Sequence, residues 1–314
     1  MPTSAEEKRQ KHYTRQKTLV GSISQKVKGS GRAVFARVLT SIRRGPDTVL
    51  IPPPFARGGN WLFEWMAARA QTQSSGLPTR LQQSAGMESW LAEFPRLREL
   101  TVRPQDVKFS FMRKIAFHQD LAKHFSAHDF SDFIEQYLLT SESFSQRLQE
   151  ARQVVTSESI VVNIRRGDYY SNPVIHHDFG IDTVSYVTKA IRQAIDVKPA
   201  DTIIVTSDDI GWCKENLAFL EAYGKVMFDK DNPGTFTDLA FVAVGHRLIL
   251  TNTTFGYWGG YIASFTHGAQ VWIPNIHERA NLLGDSQRPM QHLANWNVVT
   301  PPPGVETWLE SEEN

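Results

Sequence analysis

The sequence predicts an α/β protein built on parallel sheets, and three observations predict it. From Ile160 to Ile273, apolar runs of four or five residues alternate with helix-length segments across short connections, a rhythm that places helices on both faces of parallel strands. Near the other end, the strand-like Thr48-Val49-Leu50-Ile51 is followed by Gly58-Gly59 and a helical run from Trp61 to Ala70, the order of a mononucleotide-type βα unit. The chain has 314 residues, 41% apolar and 21% charged, which suits two globular domains and excludes a disordered or fibrous class.

The first 45 residues stand apart. Residues 1–45 carry 11 Lys/Arg and 2 Glu, a net +9 against +1 for the whole chain, so a basic arm precedes an acidic body. That reads as an attachment segment, with no nucleic acid as partner. Val34, Phe35, Val38, Leu39 and Ile42 fall on one face of an amphipathic helix among Arg32, Arg37, Arg43 and Arg44. Such a face either packs on the body or adsorbs to lipid, so residues 18–45 are the expected peripheral contact with a membrane. The start has no apolar signal region, no 18 apolar residues run together, and Cys213 is the single cysteine. The expected location is the cytoplasm, peripheral on the inner face of a bacterial membrane.

Residues 46–150 form the expected first domain. The strand 48–51 is stopped by Pro52-Pro53-Pro54, and Asn60 opens the helix carrying Leu62, Phe63, Trp65 and Met66. Thr79 to Leu81 reads as a strand, and Met87 to Phe94 and Asp129 to Leu148 read as helices. The second domain, 151–300, is more regular. It reads as strands 160–164, 202–206, 225–228, 247–251 and 270–273, with helices 182–196, 209–221, 235–245 and 257–266 between them. The tail 301–314 begins Pro301-Pro302-Pro303 and is expected to fray.

Chemistry gathers at three strand ends of the second domain. The run Ile160-Val161-Val162-Asn163-Ile164 leads into Arg165-Arg166-Gly167-Asp168-Tyr169. Paired guanidiniums at a strand end suit fork-like recognition of phosphate or carboxylate. Thr206-Ser207-Asp208-Asp209 follows the next strand, and Thr251-Asn252-Thr253-Thr254 a third. Strand ends on one edge of a parallel sheet converge, so three coincident clusters point to one site. Acids in a first helical turn serve capping, and adjacent carboxylates diverge, so Asp208 and Asp209 are not read as metal ligands. Either could accept hydrogen bonds from the two ring-edge donors of guanine. Asn252, Thr253 and Thr254 could hold phosphate oxygens at a helix start. The histidines show no zinc spacing, and no P-loop or nucleophile elbow is present.

These residues also carry a resemblance. Asn163 to Tyr169 resembles the H-x-R-R-G-D-Y motif of the bacterial α-1,2-fucosyltransferases of glycosyltransferase family eleven. Ser207 to Cys213 is similar to their S-D-D-I-x-W-C segment, and Asp238-Leu239-Ala240 with Asn252 to Gly259 is similar to their D-L-A and N-S-T-F-S-W-W-G elements. Gly59-Asn60 resembles the opening G-N-Q. Asn163 replaces the motif histidine, Gly256-Tyr257 replaces Ser-Trp, and Trp61 stands where Gln is usual.

The resemblance implies a GT-B-like architecture, two Rossmann-like domains facing a cleft, the first on the acceptor side and the second binding GDP-fucose. It implies inverting transfer of fucose to a glycan hydroxyl, α-1,2 by the family, with no metal or other cofactor. Carried over by position, Arg165 and Arg166 meet the diphosphate, Asp208 or Asp209 meets guanine, and Asn252, Thr253 and Thr254 help hold the phosphates; Gly59, Asn60 and Asn163 complete the donor site. Asp168 is a candidate base or an orienter of Arg165, with His177 and Asp178 in the following loop as further candidates. The alternatives are a transferase for another nucleotide sugar and a catalytically silent GDP-sugar-binding partner.

Overall fold

The computed structural model describes residues 48–109, 112–115, 117–229, 234–279 and 289–300. The basic arm and its amphipathic helix, and the tail 301–314, lie outside the described residues.

Two parallel sheets organise the chain, as the α/β expectation requires. The first has the order β3-β2-β1-β4, from β1 (Thr48–Ile51), β2 (Thr79–Gln82), β3 (Thr101–Val102) and β4 (Met112–Ile115). The second has the order β10-β9-β8-β5-β6-β7, from β5 (Ser159–Ile164), β6 (Thr202–Ser207), β7 (Lys225–Phe228), β8 (Arg247–Leu250), β9 (Gln270–Pro274) and β10 (Asn297–Val299). The order reverses once in each sheet, between β1 and β4 and between β5 and β8. At such a switch point the loops leave in opposite directions and open a crevice outside the carboxyl ends of the strands.

Strand β5 sits in the middle because every one of its residues is buried, which only a run of apolar and β-branched side chains tolerates on both faces. It pairs Asn163 with Thr206 of β6 and with Leu250 of β8. The strands β3, β4 and β10 were not legible as strands. β4 reads Met-Arg-Lys-Ile, without the alternation of a half-buried strand, and takes its conformation from pairing with β1.

Helix α1 (Gly58–Ser75) begins two residues earlier than its apolar spacing predicts and ends at Gly76, whose φ of 66° is the left-handed cap. Gly59 lies inside the first turn, where a Cβ would stand 2.5 Å from the carbonyl carbon of Thr254. Close approach, more than tight turning, explains that glycine.

Helices α2 (Met87–Glu93), α3 (Ala127–Phe133) and α4 (Glu142–Arg152) complete the first unit and lead to β5. The single helical run expected from Asp129 to Leu148 is interrupted. α3 passes into a π turn at Ile134–Leu138, and Ser141 starts α4 afresh by accepting from the Phe144 amide. That serine cap was the overlooked signal.

In the second unit come α5 (Gly167–Ser171), α6 (Pro173–Phe179), α7 (Thr183–Val197), α8 (Ile210–Asn216), α9 (Thr235–Val244) and α10 (Thr254–His267). α5 and α6 occupy what reads in the sequence as a loop, with Asn172 capping α6 through the Val174 amide and Pro173 opening it.

The two units share one apolar core. Leu50, Leu62, Trp65 and Phe133 of the first belong to the same buried cluster as Val161, Leu239, Trp258 and Tyr261 of the second. Trp258 is its centre, with ring centroids 5.2 Å from Phe63, 5.9 Å from Phe130 and 5.6 Å from Phe133. Its indole N–H donates to the Gly59 carbonyl at 2.9 Å. Among the described residues no helix is long and apolar enough to cross a membrane.

Candidate active site

The site lies at the switch point of the second sheet. At the end of β5 the Arg165 amide donates to Thr251 Oγ1 at 2.9 Å, tying the loop after β5 to the loop after β8. The chain then turns at Gly167, whose φ is +25° and where a Cβ would run into Asp208 Oδ2. The turn directs the Arg165 guanidinium between two carboxylates, with Nη1 2.8 Å from Asp208 Oδ2 and Nη2 2.6 Å from Asp168 Oδ1. Burial opposes the Arg165 charge, but Asp208 and Asp168 more than offset it and raise its pKa. Arg165 therefore stays a fixed cation with its fork already oriented.

Arg166 does different work. Its guanidinium is sandwiched 3.5 Å from the Tyr170 ring centroid and 3.8 Å from that of Trp212, while its amide donates to Asp208 Oδ1 at 2.8 Å. Stacking on both faces immobilises the planar cation.

An open cavity of about 100 Å³ adjoins Arg165. Asn163, Arg165, Ser207 and Asp208 line it together with Thr235, Asp238, Thr253 and Phe255. Thr253 caps α10 by accepting from the Phe255 amide at 3.3 Å, so the amino end of a 14-residue helix borders the cavity. The structure thus brings Asn163, Arg165, Asp208 and Thr253 to one place.

Other sequence-predicted residues have different employment. Asp208 has both oxygens engaged by Arg165 and Arg166. Asp209 caps α8 through the Trp212 amide at 3.1 Å. The Asn252 amide donates to the carbonyls of Phe179 and His277 at 2.8 and 2.9 Å, so it braces two loops. Asn60 accepts from Gln119 at 2.7 Å, and Gly59 is a packing residue against Thr254. Thr254 is the first residue of α10. His177 and Asp178 pair with each other at 3.0 Å on the exposed end of α6.

Two of the departures from the family motifs, Asn163 and Gly256, meet. Asn163 Nδ2 donates to Thr206 Oγ1 at 2.9 Å, and its Oδ1 lies 2.9 Å from where a Cβ of Gly256 would stand. The amide occupies the space a serine at 256 would need, so the two changes are one packing arrangement.

Sequence reasoning met Asp238 only as the first residue of the D-L-A resemblance and gave it no role in the site. Its Oδ1 is buried with no hydrogen-bond partner while the residue lines the cavity. Burial first, and then the neighbouring Asp229 carboxylate, push its carboxyl up to about 7. The available signal was a lone acid inside the otherwise apolar helix Thr-Phe-Thr-Asp-Leu-Ala-Phe-Val-Ala-Val. Among the described residues no group of three or more His, Cys, Asp or Glu is placed to hold a metal ion.

Two Rossmann-like parallel units joined along α1 and α10, with an oriented guanidinium beside a cavity at the switch point of the second, make a GT-B-like architecture. The chain belongs to glycosyl transferase family 11, whose profile matches residues 87–299. It is 32% identical over 104 residues to the O-antigen biosynthesis glycosyltransferase WbnK of Escherichia coli, covering 33% of this chain and 34% of that protein. It is 29% identical over 139 residues to galactoside alpha-(1,2)-fucosyltransferase 1 of Saimiri sciureus, covering 43% of this chain and 37% of that protein. The chain thus spans about a third of the length of these relatives. A structure of Arabidopsis thaliana FUT1 in complex with GDP superposes with a TM-score of 0.46 at 10% identity, over 87% of this chain and 79% of that one.

Proposed function

We propose that the protein transfers fucose from GDP-fucose, with inversion, to a hydroxyl of a galactoside-containing glycan, forming an α-1,2 linkage. The observation that carries this is Arg165, a cation oriented by Asp208 and Asp168 at the mouth of a cavity bordered by the start of α10. Family membership supplies the reaction class, and the relatives named galactoside alpha-(1,2)-fucosyltransferase supply the acceptor class.

In this reading the acceptor hydroxyl oxygen attacks the anomeric carbon as its bond to the GDP β-phosphate oxygen breaks, and the hydroxyl proton passes to water or to a phosphate oxygen of the departing GDP. Negative charge grows on the departing diphosphate, where the Arg165 fork and the α10 amides stabilise it. Asp168 holds Arg165 in position. Guanine offers two hydrogen-bond donors on one edge, and Asp238, with its unpartnered buried oxygen, is the carboxylate assigned to them in place of Asp208 or Asp209. The first unit takes the acceptor, and residues 18–45 hold the protein peripherally at an anionic lipid surface.

Calorimetry with GDP, UDP and ADP, followed by transfer assays with GDP-fucose and a galactoside panel, tests the reading. GDP should bind tightest, and transfer should persist in excess EDTA because guanidiniums occupy the place a divalent ion takes elsewhere. Equal affinity for the three nucleotides would overturn the guanine assignment. Donor binding without transfer would favour a catalytically silent partner. The arm is tested by co-sedimentation with anionic vesicles, which should be lost when residues 1–45 are removed.

A further inference from the structure

A pair of aromatic rings stands in water at the switch point of the first sheet. Phe55 follows β1 and Phe117 follows β4, the two strands between which the order reverses. They are 57% and 47% exposed, and they meet edge to face with centroids 5.8 Å apart and planes at 70°. The remaining exposed large hydrophobics among the described residues are aliphatic or methionine.

The two loops are held firmly from behind. Glu64, 1% exposed in α1, accepts from the His118 amide and pairs with its Nδ1, both at 2.7 Å. Gln119 donates to Asn60 at 2.7 Å and accepts from Gln291 at 3.1 Å. On the other loop, Arg57 Nη1 donates to the Pro54 and Ala56 carbonyls at 3.0 and 2.9 Å, bracing the residues on either side of Phe55. The His118 Nε2 faces Gln71 at 3.3 Å, further along α1. His118 therefore scaffolds the loop.

The loop carrying Phe55 continues into Gly59, which abuts Thr254, and Thr253 and Phe255 line the donor cavity. The loop that carries Phe55 thus leads, four residues on, to a close contact with the helix start that borders the donor site. We propose that Phe55 and Phe117 form an aromatic platform on which the apolar face of a galactoside acceptor stacks. This rests on the transferase reading above.

The chemistry selects a neutral sugar ring. A galactopyranoside presents the C–H groups of C3, C4 and C5 together on one face, and polarised C–H groups are attracted to the negative face of an aromatic ring. Two rings are far smaller than the roughly 800 Å² per partner that a stable protein interface buries, whereas one hexose covers them.

The test is steady-state kinetics with lactose as acceptor, together with calorimetric GDP binding, on the wild-type full chain and on Phe55→Leu and Phe117→Leu. Leucine keeps the site apolar but removes the π face. Each change should raise the lactose KM about tenfold, the loss of roughly one stacking contact, with GDP affinity unchanged, and Phe117→Tyr should restore it. Lactose KM within about twofold of wild type in both leucine variants, alongside normal transfer, overturns the platform alone. Failure of the wild type to transfer to any galactoside overturns the acceptor reading and the platform with it. A shift in sedimentation coefficient with KM unmoved would assign the pair to a contact with a second copy of the chain, and would equally overturn the proposal.

Discussion

The same sheet topology makes two crevices in this molecule, and they are furnished in opposite ways. At the β5/β8 switch point the loops carry charge, with Arg165 between Asp168 and Asp208, and Asp238 lines the same cavity. At the β1/β4 switch point they carry two exposed aromatic rings backed by amides and a Glu64–His118 pair. Backbone topology sets where a ligand can sit, and the side chains at the strand ends set which ligand. Fixed charge suits the diphosphate of the proposed donor, on which charge would develop during transfer. Exposed rings suit an uncharged partner that must be held without being trapped.

The comparison breaks most sharply at Arg165. Arg165→Lys keeps a positive charge but loses the planar fork that spans Asp168 and Asp208, and turnover should fall by a factor equivalent to about 3 kcal/mol. Circular dichroism and melting temperature should stay near wild type. Near-native turnover in that variant would remove Arg165 from the phosphate role.

Asp238→Asn should cost about 2 kcal/mol of GDP-fucose affinity, since an amide sets a donor against the donors of guanine, while inorganic diphosphate should bind as before. Asp238 also predicts a pH dependence. Its carboxyl is raised to about 7 in the free protein, and the anionic form is the one that accepts from guanine. Affinity should therefore fall as pH drops through 7, about tenfold between pH 8 and pH 6. GDP-fucose is the ligand of choice because its diphosphate does not titrate there. Asp238→Asn should flatten the profile, and a profile unaltered by that change would reassign the group.

The smallest expected effect concerns the seam. Trp258→Phe removes the indole donor to the Gly59 carbonyl but keeps an aromatic body in the cluster. A loss of about 1 kcal/mol in unfolding free energy is expected, read by denaturant titration, in one transition and with little change in GDP affinity. Two separated transitions would show that the units fold independently and that the shared core does not couple them.

What the sequence made legible follows from where physics leaves a periodic trace. The strand β5 is apolar throughout because both its faces are covered, so its end at Arg165 could be located from composition alone. α1 showed its apolar spacing, although its first turn was hidden because two glycines read as a turn. Asp238 was hidden for the opposite reason, as one acid in a helix whose apolar face dominates the pattern. Asn60, Asn252 and Asp209 illustrate a different limit. An amide or a carboxylate beside a strand end serves a ligand or a backbone group equally well, and only the path of the neighbouring loops assigns Asn252 to Phe179 and His277. Phe55 and Phe117 lie 62 residues apart in the chain, and nothing local in a proline-rich loop or after a Met-Arg-Lys-Ile strand marks them as partners.

The buried cluster around Trp258 bears on turnover. Units that share a dry aromatic seam do not swing apart cheaply, because opening would wet Phe63, Phe130 and Phe133 together with the indole. Substrates must then reach a cleft whose walls keep their spacing, and the crevice has to be complementary to its ligands before they arrive.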